Sequence, residues 1–142
     1  DRGGPTKYGI TMDTLSKFQG YNATRQDVMA LDEEEARIIY RQLYWIEPGF
    51  IDLYVSDDVA EFLFDAGVNH GPHRAIQMLQ KVLKVKEDGI IGPITLKAAE
   101  AHERLLEELI QERMKYYARI VRDDPTQSVF LLGWVNRVMK FV

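Results

Sequence analysis

The chain has 142 residues, 46% apolar and 28% charged, with no cysteine; that length suits about one domain able to fold without staples. The missing cysteine excludes a disulfide scaffold, a cysteine nucleophile and thiolate metal ligation. A formal charge of −4 argues against a general nucleic-acid binder, which needs a basic stripe to displace counterions.

The stretch DRGGPTKYGIT (1–11) holds three glycines and a proline, so the reading is an irregular loop with no regular element. Met12 to Phe18 suits one short helix, and Gly20 to Asp27 reads as a polar loop. Asp32 is placed to N-cap a helix whose glutamates sit at the positive end of its dipole. Ile39, Leu43 and Ile46 recur there at helical spacing, until Pro48-Gly49 ends the run. A further helix is expected from Ser56 or Asp57, with Val59, Phe62, Leu63 and Ala66 on one face. GVNHGP (67–72) breaks the pattern.

Ala75 to Leu83 resumes it with Ile76, Leu79 and Leu83 on one stripe. Glu87-Asp88-Gly89 reads as a turn fixed by Asp88, and Gly92-Pro93 as a helix start, since proline suits a first helical turn. One long helix is expected from Thr95 to about Arg122, with Leu106, Leu109, Ile110, Tyr117, Ile120 and Val121 as its core stripe. Asp123-Asp124-Pro125 stops it. A last helix carries Phe130, Trp134, Val138 and Phe141 on one face. Strand-type alternation is nearly absent, Phe50 to Val55 being the one weak candidate. The fold class is mainly α, with a glycine-rich N-terminal loop. No apolar run approaches the roughly 18–20 residues that span a bilayer, and no secretory-signal pattern is seen.

Few residues suggest metal or nucleophile chemistry. His70 and His73 are split by Gly71-Pro72, and His102 stands alone on a polar face, so all three read as loop or surface histidines rather than ligands. Ser16, Ser56 and Ser128 lack a nucleophile-elbow context. No metal and no cofactor is expected. The N-terminal loop is richer: a carboxylate (Asp1), hydroxyls (Thr6, Thr11) and an aromatic (Tyr8) among glycines suit sugar handling. An aromatic ring stacks on a pyranose face, a hydroxyl holds a water, and a carboxylate acts on a developing oxocarbenium. The plainer alternative makes Tyr8 and Ile10 core plugs and the glycines mere turns. Asn69, in DAGVNHG, either bonds a substrate N-acetyl group or caps the preceding helix.

With those residues in view, DRGGPTKYGIT and its following short helix resemble the opening block of glycoside hydrolase family 108, bacterial and phage N-acetylmuramidases. FLFDAGVNHGPHRAIQMLQKVLKVKEDGIIGPITLKAAE looks like the peptidoglycan-binding region that follows in that family, and FLLGWVNRV like its closing helix. The resemblance implies a mainly α, lysozyme-like fold, with residues 1–55 a partial catalytic region and 56–142 a helical peptidoglycan-binding region packed with it as one compact unit. It implies cleavage of the β-1,4 bond between N-acetylmuramic acid and N-acetylglucosamine, in the periplasm or outside the cell, with glycan strands as partner.

One departure stands out. The family's acid is a Glu in a Glu-Gly-Gly motif, and these 142 residues hold no such motif. Because the chain opens at Asp1 rather than Met, the general acid is expected upstream of Asp1. Glu33, Glu34 and Glu35 are read as dipole and solubility residues, not substitutes for it. Asp1 matches where related enzymes carry a second carboxylate, and Thr6 would position the attacking water. Tyr8 and Asn69 are the expected substrate contacts, on opposite walls of a cleft. A non-catalytic peptidoglycan-binding module and a helical interaction protein remain as alternatives; a pure binder has no need of Asp1, Thr6 and Tyr8 together.

Overall fold

The computed structural model of the chain describes residues 4–142. Two compact units divide it, residues 1–47 and 48–142. Asp1 lies outside the described residues.

The first unit opens with a small antiparallel hairpin, β1 (Thr6–Lys7) and β2 (Ile10–Thr11), paired Thr6 to Thr11 and Lys7 to Ile10. The expected irregular loop therefore contains a ladder. Three helices follow, α1 (Met12–Gln19), α2 (Arg25–Met29) and α3 (Glu33–Arg41). Helix α2 replaces the second half of the expected polar loop. Its start is a capping box in which Thr24 accepts from the Asp27 N–H and Asp27 accepts from the Thr24 N–H. Asp32 and Glu35 build the same box on α3, and Glu33 pairs with Arg37 one turn on, so two of the three glutamates have local work. After α3 the chain widens into a π turn, Gln42–Ile46. Ile10, Leu15, Val28, Leu31, Ala36, Ile39 and Leu43 form the core of this unit, each of its branched aliphatic side chains worth about 1.5–3 kcal/mol when buried.

The second unit starts with a 3-10 turn, Phe50–Asp52, in place of the weak strand candidate. Helix α4 (Asp57–His70) is N-capped by Ser56 and buries Val59, Phe62, Leu63 and Ala66, the face read from the sequence. It runs on through Val68 and Asn69; the break falls at Gly71 alone, whose φ of +87° and ψ of 148° only glycine adopts readily. Pro72 then begins α5 (Pro72–Leu83), which buries Ile76, Leu79 and Leu83.

The expected long helix is two: α6 (Pro93–Ala101) and α7 (Leu105–Asp123). The break has no glycine or proline. His102 makes it, its Nδ1 accepting from the Arg104 N–H at 3.2 Å and its Nε2 lying 2.6 Å from Glu108, so its side chain serves the start of α7 as a cap. Leu109 and Tyr117 are buried as expected, but so are Glu112 and Arg113, while Leu106 and Ile110 are only half-buried. A 3-10 segment (Pro125–Phe130) leads into α8 (Leu131–Met139). On α8 Val138 is buried and Trp134 half-buried, as is Phe141 just beyond the helix. Phe130 is 52% exposed, because it stacks on the outer side of Trp134 (centroids 5.9 Å apart) rather than beneath it. Among the described residues no helix is long and apolar enough to cross a membrane.

Candidate functional site

The hairpin is the most sharply constrained part of the first unit. Its two-residue turn, Tyr8-Gly9, has φ of +55° and +79°, the sign pattern of a type I′ turn, whose twist matches that of the strands. Asn-Gly is the usual pair for such a turn. Tyrosine in the left-handed region costs about 1 kcal/mol or more, and something must hold it there. Tyr40, from α3, does so: its hydroxyl donates to the Tyr8 carbonyl at 2.8 Å. A Cβ on Gly9 would stand 2.7 Å from that same hydroxyl oxygen, so the approach admits no side chain. Burial and the neighbouring Tyr44, whose ring centroid is 5.6 Å away, push the Tyr40 phenol above its ordinary pKa, keeping it a donor.

A second tie comes from Lys7, whose Nζ donates to the Met29 carbonyl at 2.8 Å and sits 5.8 Å from the centre of the Tyr8 ring. The outcome is a pinned backbone with its aromatic displayed. Tyr8 is 48% exposed, whereas Ile10 is 1% exposed; the plainer alternative thus holds for Ile10 and not for Tyr8. Thr6 is exposed on the same hairpin. The hairpin brings together Thr6 and Tyr8 of the expected site residues, while Asp1 lies outside the described residues.

Asn69 belongs to the second unit. It sits inside the last turn of α4 rather than in a loop, and its Nδ2 donates to the Asp65 carbonyl at 2.7 Å. The side chain therefore does the local helix-end bonding that competes with a ligand role, and its Oδ1 is left to accept.

Further structure was not foreseen. Gln80, 1% exposed, accepts from the Gly89 N–H at 2.9 Å and holds its amide nitrogen within 3.2 Å of Asp88 Oδ1, the Ile90 carbonyl and Thr95 Oγ1. Asp88 also accepts from the Ile90 N–H, as the turn reading expected. The Gln80 amide and the Ile90 N–H hold its carboxyl below the ordinary range.

A second buried cluster surrounds Arg113, which is 0% exposed. Its Nε donates to His70 Nε2 at 3.0 Å and to Tyr117 Oη at 3.2 Å. Its Nη1 lies 2.8 Å from Asp65 Oδ2, without hydrogen-bond alignment, so that attraction is electrostatic. Asp65 Oδ1 accepts from Arg137 at 3.0 Å. His70 is therefore no loop histidine; burial, then the charge of Arg113, lowers its pKa to about 4. Neutral, it offers Nε2 as an acceptor to Arg113. The only advance sign of this cluster was a charged pair, Glu112-Arg113, within an apolar-striped helix.

Asp88, Glu107 and Asp123 are each held below the ordinary carboxylate range by hydrogen-bonding partners, the reverse of what a general acid needs. Among the described residues no set of three histidine or carboxylate side chains is grouped to hold a metal ion.

Comparison with known proteins places this geometry. The glycosyl hydrolase 108 family model matches residues 1–71, and a model described as a predicted peptidoglycan domain matches residues 74–139. The solved structure of Brucella abortus SagA is similar, with a TM-score of 0.80 and 36% identity over 99% of this chain and 79% of that one. No curated protein matches the chain. It belongs to the glycosyl hydrolase 108 family, with a mainly α, lysozyme-like fold, and its function concerns peptidoglycan.

Proposed function

We propose that the chain is the substrate-holding body of an N-acetylmuramidase, cleaving the β-1,4 bond between N-acetylmuramic acid and N-acetylglucosamine in the bacterial wall, outside the cytoplasm. The observation that carries the reading is the Tyr8 hairpin. The backbone is held in a disfavoured conformation by a hydrogen bond from another element, and its result is a displayed ring rather than a buried one. Strain kept at an exposed aromatic is characteristic of a contact surface, and aromatic faces stack well on pyranose rings.

In this scheme the leaving glycosidic oxygen is protonated by the family's Glu-Gly-Gly glutamate, a motif these 142 residues do not contain, its pKa raised by a partly apolar setting. Asp1 is the second carboxylate, and the exposed Thr6 hydroxyl positions the attacking water. Tyr8 stacks against a sugar, and Asn69 offers its Oδ1 to an acetamido N–H.

The test uses the full-length protein on a bacterial wall suspension. Loss of turbidity, cut by orders of magnitude in Asp1→Asn and Thr6→Ala with unchanged melting, supports the enzyme. Sedimentation with walls that never clear means a non-catalytic binding module instead, and the hydrolase reading is dropped.

A further inference from the structure

The second unit carries a surface groove of about 990 Å³, lined by neither Arg113 nor Gln80, formed by the start of α4 and the chain before it together with α6, α7 and the C-terminal Phe141 and Val142. Its lining is of two kinds. Leu106 and Ile110, one turn apart on α7 and only half-buried, supply an apolar strip, and Tyr54, 79% exposed, adds a ring. Around that strip stand Asp58, Glu100 and Glu103. None of the three forms an ion pair among the described residues, whereas Arg104, also in the lining, is paired with Glu107, and His102 faces Glu108. The groove is therefore net anionic over an apolar base.

Glu100 is the telling member. It sits in the last turn of α6, which has no basic residue there, at the negative end of the helix dipole, where a carboxylate destabilises. A charge kept against its local interest calls for a use elsewhere.

We propose that this groove binds the peptide stem of peptidoglycan, seating the aliphatic side chain of its diamino acid along Leu106, Ile110 and Tyr54 with the terminal ammonium among Asp58, Glu100 and Glu103. An alkyl chain ending in a cation matches an apolar strip flanked by carboxylates, whereas glycan hydroxyls could donate to the carboxylates but would leave Leu106 and Ile110 uncovered. The matched peptidoglycan-domain segment, 74–139, supplies Glu100, Glu103, Leu106 and Ile110. The inference rests on the peptidoglycan reading and adds which part of the polymer is held.

The experiment is co-sedimentation of full-length protein, on ice, with purified sacculi, native or with their free amines acetylated. The expected result is binding to native sacculi that weakens several-fold on acetylation. Glu100→Gln and Glu103→Gln each weaken native binding about two- to fivefold, and the double variant no longer distinguishes the two preparations. Glu100→Gln melts no lower than the parent, since it removes a charge opposed to the helix dipole. Equal binding of the parent to both preparations, or a double variant that still distinguishes them, overturns the stem-peptide site while leaving the wall reading intact. Binding to neither preparation overturns the peptidoglycan reading itself, and this site with it.

Discussion

The Tyr40 hydroxyl and the Tyr8 carbonyl meet at 2.8 Å across 32 residues of sequence, and that bond holds a tyrosine where turns of this type usually place asparagine. Two substitutions separate the backbone's role from the ring's. Tyr8→Gly relieves the left-handed strain, so the melting temperature stays level or rises, by up to about 1 kcal/mol in stability. Wall clearing by the full-length protein falls at least tenfold if the ring is the sugar contact. Activity that survives with the ring gone would rule the contact out.

Tyr40→Phe deletes the holding bond and keeps the ring. It costs about 1 kcal/mol, read by denaturant midpoint, and weakens clearing through misplacement of Tyr8. Gly9→Ala costs more than Tyr40→Phe, because it combines the +79° backbone with the 2.7 Å approach to Tyr40. A Gly9→Ala variant as stable as the parent would show that the hairpin yields freely.

Gln80 is the point from which the 84–92 segment is tied down. Gln80→Ala leaves the Gly89 N–H and the Thr95 hydroxyl short of partners in a buried place, costing about 2–3 kcal/mol. Gln80→Glu does not rescue near neutral pH, since its carboxylate then faces Asp88. Calorimetry on the two variants checks both statements; equal melting of Gln80→Glu and the parent contradicts the second.

His70 gives stability a defined pH dependence. Its folded pKa of about 4 lies below the ordinary 6.5, so between those values the unfolded chain takes up a proton that the folded chain refuses. Stability is therefore full above pH 6.5, declines as pH falls towards 4, and loses no more to this group below that. The loss is about 1–2 kcal/mol after discounting for the solvent that screens the partly exposed ring. His70→Gln flattens that part of the profile. A parent profile already flat from 6.5 to 4 would remove His70 from the account.

Trp134 stacks on Tyr117 with centroids 4.9 Å apart at 15° and carries Phe130 on its other side. Because it is half-buried, Trp134→Ala costs about 2–3 kcal/mol, below the 3–5 expected of a fully buried aromatic. Phe130→Ala costs under about 1 kcal/mol. Comparable losses for the two would mean that Phe130 is covered in solution.

The faces of α4 and α5 were legible because Val59, Phe62, Leu63 and Ala66, and then Ile76, Leu79 and Leu83, follow the 3.6-residue period of a buried stripe. The stop at Asp123-Asp124-Pro125 was legible from proline. The split between α6 and α7 was not, since His102 makes it with its side chain in a sequence free of helix breakers. Burial of Arg113 was hidden for a different reason. A charge within an apolar stripe reads as solvated until Asp65, His70 and Tyr117, all distant in sequence or a turn away, converge on it. At the candidate site, glycines beside Thr6 and Tyr8 marked the segment whose backbone is constrained. Its hairpin stayed invisible because tyrosine is a poor choice for a left-handed turn, and only Tyr40 makes it tolerable.

The place where α4 belongs limits how such a chain can be recombined. The hydrolase match ends at residue 71, yet Asp65 faces Arg113 and Arg137, and Phe62 meets Phe141 edge-on at 5.1 Å. A chimaera spliced at residue 71 would import a foreign α4 against native α7 and α8, orphaning a buried guanidinium. A crossover placed before α4, near the 47/48 division, keeps these partnerships together, so the piece that must move as one is longer than the matched peptidoglycan-domain segment.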